Sequence, residues 1–254
     1  MRLVRVGGRY LEGRERRLWM ALAAVVGLAS AGVVVAAGMP GAPPLHPRLF
    51  HLGAGTAAVL TAFRLGPPVT RRLRNVRKGR LGERLVIDLL CGLPDDYWLI
   101  NDVTLGVARG NIDHVLIGPC GVAVIETKRV AGRIRCWGDD WSTDGYQRKS
   151  ISRPVNSEAC GVRHFLIERH PDLAYSALRW VESIIVFTHP LCRLEVNQPR
   201  ATIVRYSQLF QVVVELARKN QMPPPIAARL AESLTAAQAS DAVRVGRRSL
   251  TVAS

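Results

Sequence analysis

Three residues near the middle of the chain, Asp113, Glu126 and Lys128, have the types and spacing for metal-assisted chemistry. They lie in Gly110-Asn111-Ile112-Asp113-His114-Val115-Leu116-Ile117-Gly118-Pro119-Cys120-Gly121-Val122-Ala123-Val124-Ile125-Glu126-Thr127-Lys128, two apolar runs joined by Gly-Pro-Cys-Gly. Turn residues between two such runs predict a β-hairpin. With Pro119 and Cys120 as its loop, Gly118 faces Gly121, Ile117 faces Val122, and Asp113 faces Glu126. Alternation then puts Asp113, Val115 and Ile117 on one face with Val122, Val124, Glu126 and Lys128. Directly opposed Cβ atoms lie about 4.5–5.5 Å apart, and like charges there are destabilising. Two carboxylates roughly 4 Å apart repel by about 4 kcal/mol at an effective dielectric constant of about 20. A divalent cation turns that repulsion into a binding site, and oxygen ligands suit Mg2+ or Mn2+.

A third acid can converge from a preceding helix. Glu83 is followed at i+3, i+4 and i+7 by Val86, Ile87 and Leu90, so it prolongs an apolar stripe. The equal alternative is a first-turn Glu that answers the helix dipole. Taken singly, Asp113 also reads as a strand-start residue bonding a turn, and Lys128 as a solvated strand end. The shared face of the set is what points to chemistry. His114 falls on the opposite face from Asp113 and reads as a satisfied core histidine.

The elements that must position these residues follow Arg80. Leu81 to Leu90 reads as an amphipathic helix stopped by Gly92 and Pro94. Strands are expected at 97–105, 112–118, 122–127 and 134–137, then a helix over 155–169 and strands at 181–187 and 201–204. Helices over 206–219 and 223–237 follow, with a flexible tail at 241–254. The order predicts an α/β sandwich around a mixed sheet. The five cysteines show no C-x-x-C pair, so neither a zinc site nor a disulfide framework is indicated, and each reads as a small core residue.

The net charge of +15 is unevenly placed. Residues 1–80 carry 14 Lys/Arg against 2 Asp/Glu, and residues 81–254 carry 21 against 18. The basic runs 2–17 and 71–80 flank two apolar stretches, 18–39 and 49–68, divided by Pro40-Gly41-Ala42-Pro43-Pro44. A spanning helix needs about 20 apolar residues, and basic residues stay on the cytoplasmic side. The pattern predicts a basic N-terminus at 1–17, a transmembrane hairpin at 18–70 and a basic juxtamembrane linker at 71–80. It implies a multi-pass protein of the plasma membrane, with the lipid bilayer as a partner and both termini cytoplasmic. The second stretch also reads as a re-entrant or surface helix, since only Leu49 to Phe63 is free of charge. The first is too long for a signal-peptide core of roughly 7–15 residues.

Gly82-Glu83, Asn101-Asp102-Val103, Ile112-Asp113-His114-Val115 with Gly118-Pro119, Glu126-Thr127-Lys128, Gly132 and Trp141 together resemble the NERD, or nuclease-related, domain over about residues 80–195. The resemblance implies a restriction-endonuclease-like fold: a mixed β-sheet flanked by helices at 81–195, completed by a strand and helices at 196–240 and here preceded by two transmembrane helices. It implies that Asp113, Glu126 and the Thr127 backbone carbonyl hold Mg2+ or Mn2+. Lys128 would orient the attacking water and stabilise charge, and Glu83 would be the accessory acid. One departure is present. Family members often carry a Gln shortly after the Pro that precedes the next helix, whereas Pro154 is followed here by Val155-Asn156-Ser157-Glu158.

These features predict a membrane-anchored, divalent-metal-dependent nuclease acting on nucleic acid, with DNA as the expected substrate. Arg129, Arg133 and Arg135 are weaker candidates for phosphate contacts, and they also read as charges guarding a strand edge. The alternative is a non-catalytic, membrane-tethered module that binds nucleic acid or protein through the same fold. No phosphate-cradling G-x-x-x-x-G-K-[ST], dinucleotide G-x-G-x-x-G or nucleophile G-x-S-x-G run is present.

Overall fold

The alternating apolar runs between 97 and 128 fold as three adjacent strands, β2 (Trp98–Val103), β3 (Ile112–Gly118) and β4 (Gly121–Lys128). The computed structural model describes residues 1–4, 16, 19, 20, 23, 71–105 and 111–251. Two units are distinguished, Met1–Gly8 with Leu81–Ser254, and Arg9–Arg80. In the second unit, the described residues 16, 19, 20, 23 and 71–80 are helical.

In the first unit, strands β1 (Arg2–Val4), β8 (Glu182–Phe187) and β10 (Thr202–Arg205) complete a six-stranded sheet in the order β1-β2-β3-β4-β8-β10. The pairs β2–β3 and β3–β4 are antiparallel, while β1–β2, β4–β8 and β8–β10 are parallel. Val122 to Ile125 of β4 are buried without a break. A strand apolar on both sides must be covered on both faces.

The cover comes from four helices. Residues 71–90 are helical, and the part in this unit, 81–90, is called α1. The others are α2 (Ser152–Arg169), α3 (Tyr206–Asn220) and α4 (Pro224–Thr251). On one face Val155, Ala159, Val162 and Leu166 of α2 and Leu230 and Leu234 of α4 pack with Val115, Ile117, Val122 and Val124. On the other, Val86 and Leu90 of α1 and Leu209 and Val213 of α3 pack with Leu116, Ala123 and Ile125. Each helix thus buries one apolar stripe, as its periodicity demands.

A second sheet is ordered β7-β6-β5-β9, from β5 (Gly132–Trp137), β6 (Asp140–Thr143), β7 (Tyr146–Arg148) and β9 (Cys192–Asn197). Only the strand at 134–137 was expected in this region. The others are short or polar, and β9 pairs in parallel with β5 across a long stretch of chain, so local pattern does not reveal it. Trp141 of β6 is buried and stacks on Phe187 of β8, with ring centroids 6.1 Å apart.

Several expectations are corrected. The last helix, expected to end near Ala237 before a flexible tail, runs to Thr251, and its Ala-rich run has high helix propensity. Cys120, Cys136 and Cys192 are buried, but Cys91 and Cys160 are exposed. The multi-pass membrane location is overturned and the bilayer partnership finds no support: among the described residues no helix is long and apolar enough to cross a membrane. The two expected spans, apart from Trp19, Met20 and Ala23, lie outside the described residues. The charge pattern behind that expectation counted Arg2 as membrane-flanking. Instead Arg2 opens β1, with its guanidinium 5.4 Å from the centre of the Trp98 ring.

Candidate active site

The hairpin β3–β4 has the expected register. Gly118 pairs with Gly121, Ile117 with Val122, and the ladder continues to His114 opposite Ile125. Gly121 turns the chain at φ 87°, a conformation that suits glycine. Beyond His114 the Asp113 side chain takes over from the backbone: its Oδ2 accepts a hydrogen bond from the Thr127 N–H at 2.8 Å. The carboxylate is thereby fixed across the open end of the hairpin.

Burial holds the Asp113 carboxyl well above the usual carboxylate range, and the charges of Glu126 and Glu83 push it further in the same direction. The Thr127 N–H and Lys128 oppose this. Lys128 Nζ donates to Glu126 Oε1, forming an ion pair whose side chains are 34% and 15% exposed. Burial pulls the Lys128 ammonium down, but Glu126, Asp113 and Glu158 together hold it above its ordinary value. Asp113, Glu126 and Lys128 therefore converge, and Glu83 reaches them electrostatically from α1 on the other layer.

Gly82 explains how α1 comes so close. A Cβ there would lie 2.9 Å from Thr188 Oγ1 and 3.0 Å from Thr127 Cγ2. Only glycine lets the helix seat against the ends of β4 and β8, which carries Glu83 to the site.

Glu158 of α2 is the group that the sequence motif did not supply. It stands beside the buried stripe Val155, Ala159 and Val162, and its Oε2 is buried with no hydrogen-bond partner among the described residues. Burial, then the charge of Glu126, pushes its carboxyl up to about 7, with Lys128 acting against them. The available signal was its place beside an apolar i, i+4, i+7 stripe.

His114 is fully buried, and its Nδ1 lies 2.6 Å from Asn101 Oδ1. Burial drops its pKa to about 3, so the ring is neutral, but only half satisfied against expectation: its Nε2 is buried with no hydrogen-bond partner among the described residues. The arginines do not form one strip. Arg129 Nη1 donates to the Thr188 carbonyl at 2.9 Å. Arg133 and Arg135 both pair with Glu195 of β9, at 2.7 and 2.6 Å. Among the described residues no three His, Cys, Asp or Glu side chains are grouped to hold a metal ion.

An uncharacterized protein of Bacillus anthracis is 29% identical over 151 residues, which is 54% of this chain and 66% of that protein. The match thus spans just under two thirds of the relative's length. No solved structure matches. Residues 78–188 match the family described as nuclease-related domain, NERD. The convergent acids, the lysine at the hairpin end and the glycine that seats α1 all lie within that span, so a nuclease-related domain is found at residues 78–188 of this chain.

Proposed function

We propose that the domain is a divalent-metal-dependent nuclease of restriction-endonuclease-like fold that hydrolyses phosphodiesters, with DNA as its substrate. The observation that carries this reading is Asp113, a half-buried carboxylate pinned by the Thr127 N–H and crowded by Glu126 and Glu83. Such crowding is relieved by a cation, and perturbed acids of this kind cluster at functional sites. The donors suit Mg2+ or Mn2+: Mg2+ keeps several waters and takes one or two carboxylates with substrate phosphate. Asp113, Glu126 and the Thr127 carbonyl would hold it, so two carboxylates suffice without a group of three.

In the mechanism Asp113 keeps its position through the Thr127 N–H. Glu126 would hold the cation with Asp113 and the Thr127 carbonyl. Lys128, held among acids, would present its ammonium to the attacking water and the phosphate oxygens. Glu83 adds negative charge at the α1 side. When bound, the cation would supply a more acidic water and neutralise charge growing on the phosphate. Arg133 and Arg135 would trade Glu195 for backbone phosphates.

The test is cleavage of DNA and RNA by the purified full chain with Mg2+, Mn2+ or chelator. Metal-dependent cutting that is lost in Asp113→Ala is expected, and equal cutting by that variant rejects the assignment. A non-catalytic module that binds nucleic acid or protein is the second reading, favoured by the Lys128–Glu126 pair, which occupies one of the two carboxylates. Salt-sensitive DNA binding without cutting under any divalent metal would select it.

A further inference from the structure

Lys128 has three N–H donors, and Glu126 is its hydrogen-bonded partner. A cation taking Glu126 leaves that ammonium, two thirds buried, in need of another acceptor. The orphaned Oε2 of Glu158 is such an acceptor. Helix α2 packs on β4, and the charges of Glu158, Glu126 and Lys128 act on one another. Buried polar atoms are nearly always bonded, so an orphan acceptor on the helix packed over β4, whose charge acts on a cationic donor there, marks an arrangement completed in another state.

We propose that Glu158 is a positioning residue of the nuclease site: it is the second acceptor for Lys128 and receives the ammonium when the Glu126 carboxylate turns to the divalent cation. The inference rests on the metal-dependent reading above. Without Glu158, Lys128 stays on Glu126 and competes with the cation. With it, the exchange of partners leaves no buried charge unpaired, and the ammonium is kept at a fixed place near the reacting phosphate. Glu158 acts through Lys128 and itself touches neither cation nor substrate.

The experiment is calorimetric titration of Mn2+ into the full chain as wild type, Glu158→Gln, Lys128→Met and the double variant, with thermal melts in chelator. Glu158→Gln is expected to weaken Mn2+ binding about tenfold, the usual scale for a residue supporting metal ligands. Its melting temperature in chelator should be unchanged or higher, because it removes an unpaired buried carboxylate. In the Lys128→Met background the same change should alter affinity by less than about twofold, since the partner it acts through is gone. Equal weakening in both backgrounds means that Glu158 acts on the cation directly and overturns the proposal. So does an unchanged affinity in Glu158→Gln, or a melt in chelator lowered enough to account for the weakening. A wild type that binds no Mn2+ overturns the metal-dependent reading itself, and the Glu158 role with it.

Discussion

The Asp113 carboxylate accepts the Thr127 N–H at 2.8 Å, across the point where the β3–β4 ladder ends. One side chain thus replaces a backbone acceptor and is held rigid while two acids press on it. Preorganisation of this kind is what a metal site or an electrostatic catalyst requires, and it costs local stability.

Asp113→Asn should separate these effects. The neutral amide oxygen still accepts the Thr127 N–H, while repulsion with Glu126 and Glu83 is removed. The melting temperature should stay level or rise, and cleavage should fall about 100-fold or more, the scale for losing a preorganised charged group. Melts and metal-dependent cleavage rates measured on one preparation decide it; a variant that is both less stable and fully active contradicts the assignment.

Gly82→Ala carries a test of sign. On an open helix surface the change would stabilise by about 1 kcal/mol. Here the new methyl would press on Thr188 and Thr127, and overpacking of this kind costs about 1–3 kcal/mol. Urea denaturation should show a loss, with cleavage reduced as Glu83 is displaced. A gain in stability would mean that α1 does not approach β4 so closely.

His114 sets a pH window. Its folded pKa of about 3 lies below the ordinary value of 6.5, so the unfolded chain binds the proton first. Stability is therefore full above pH 6.5 and is lost as pH falls toward 3. Between pH 7 and 5 the loss should be about 2 kcal/mol. His114→Gln, which does not titrate and still offers an amide to Asn101, should flatten that slope; an unchanged slope would assign the acid sensitivity elsewhere.

Arg133, Arg135 and Glu195 are roughly half exposed, so their pairing contributes at most about 1 kcal/mol to stability. Glu195→Gln should leave the melt unchanged and tighten DNA binding by releasing both guanidinium groups. Arg135→Ala should reduce the slope of log affinity against log salt by about 1. Affinity unmoved by either variant would take this face out of the nucleic-acid interface.

How much was legible in the sequence follows from how local each feature is. The turn Gly118-Pro119-Cys120-Gly121 dictates its own pairing, so the register from Gly118–Gly121 to His114–Ile125 could be read directly. The helix 81–90 and its buried Val86 and Leu90 followed from spacing alone. The pairing of Arg133 and Arg135 with Glu195 was not legible, because the two parallel strands that carry it are about 60 residues apart and need a long crossover. The membrane expectation failed differently. It drew on two apolar stretches and the charges flanking them, but among the described residues no helix is long and apolar enough to cross a membrane, and the charge count did not reveal Arg2 in a strand beside Trp98.

The hairpin, its acids and the nuclease-related motif are written in local pattern, since a period of two and a two-residue turn leave little choice of register. What surrounds them depends on how distant segments pack. Gly82 sets the approach of Glu83, Thr127 pins Asp113, and α2 delivers Glu158 to the Lys128–Glu126 pair. The reason is physical: hydrogen-bond register acts between neighbouring strands, whereas burial and charge act through space between layers joined only by packing.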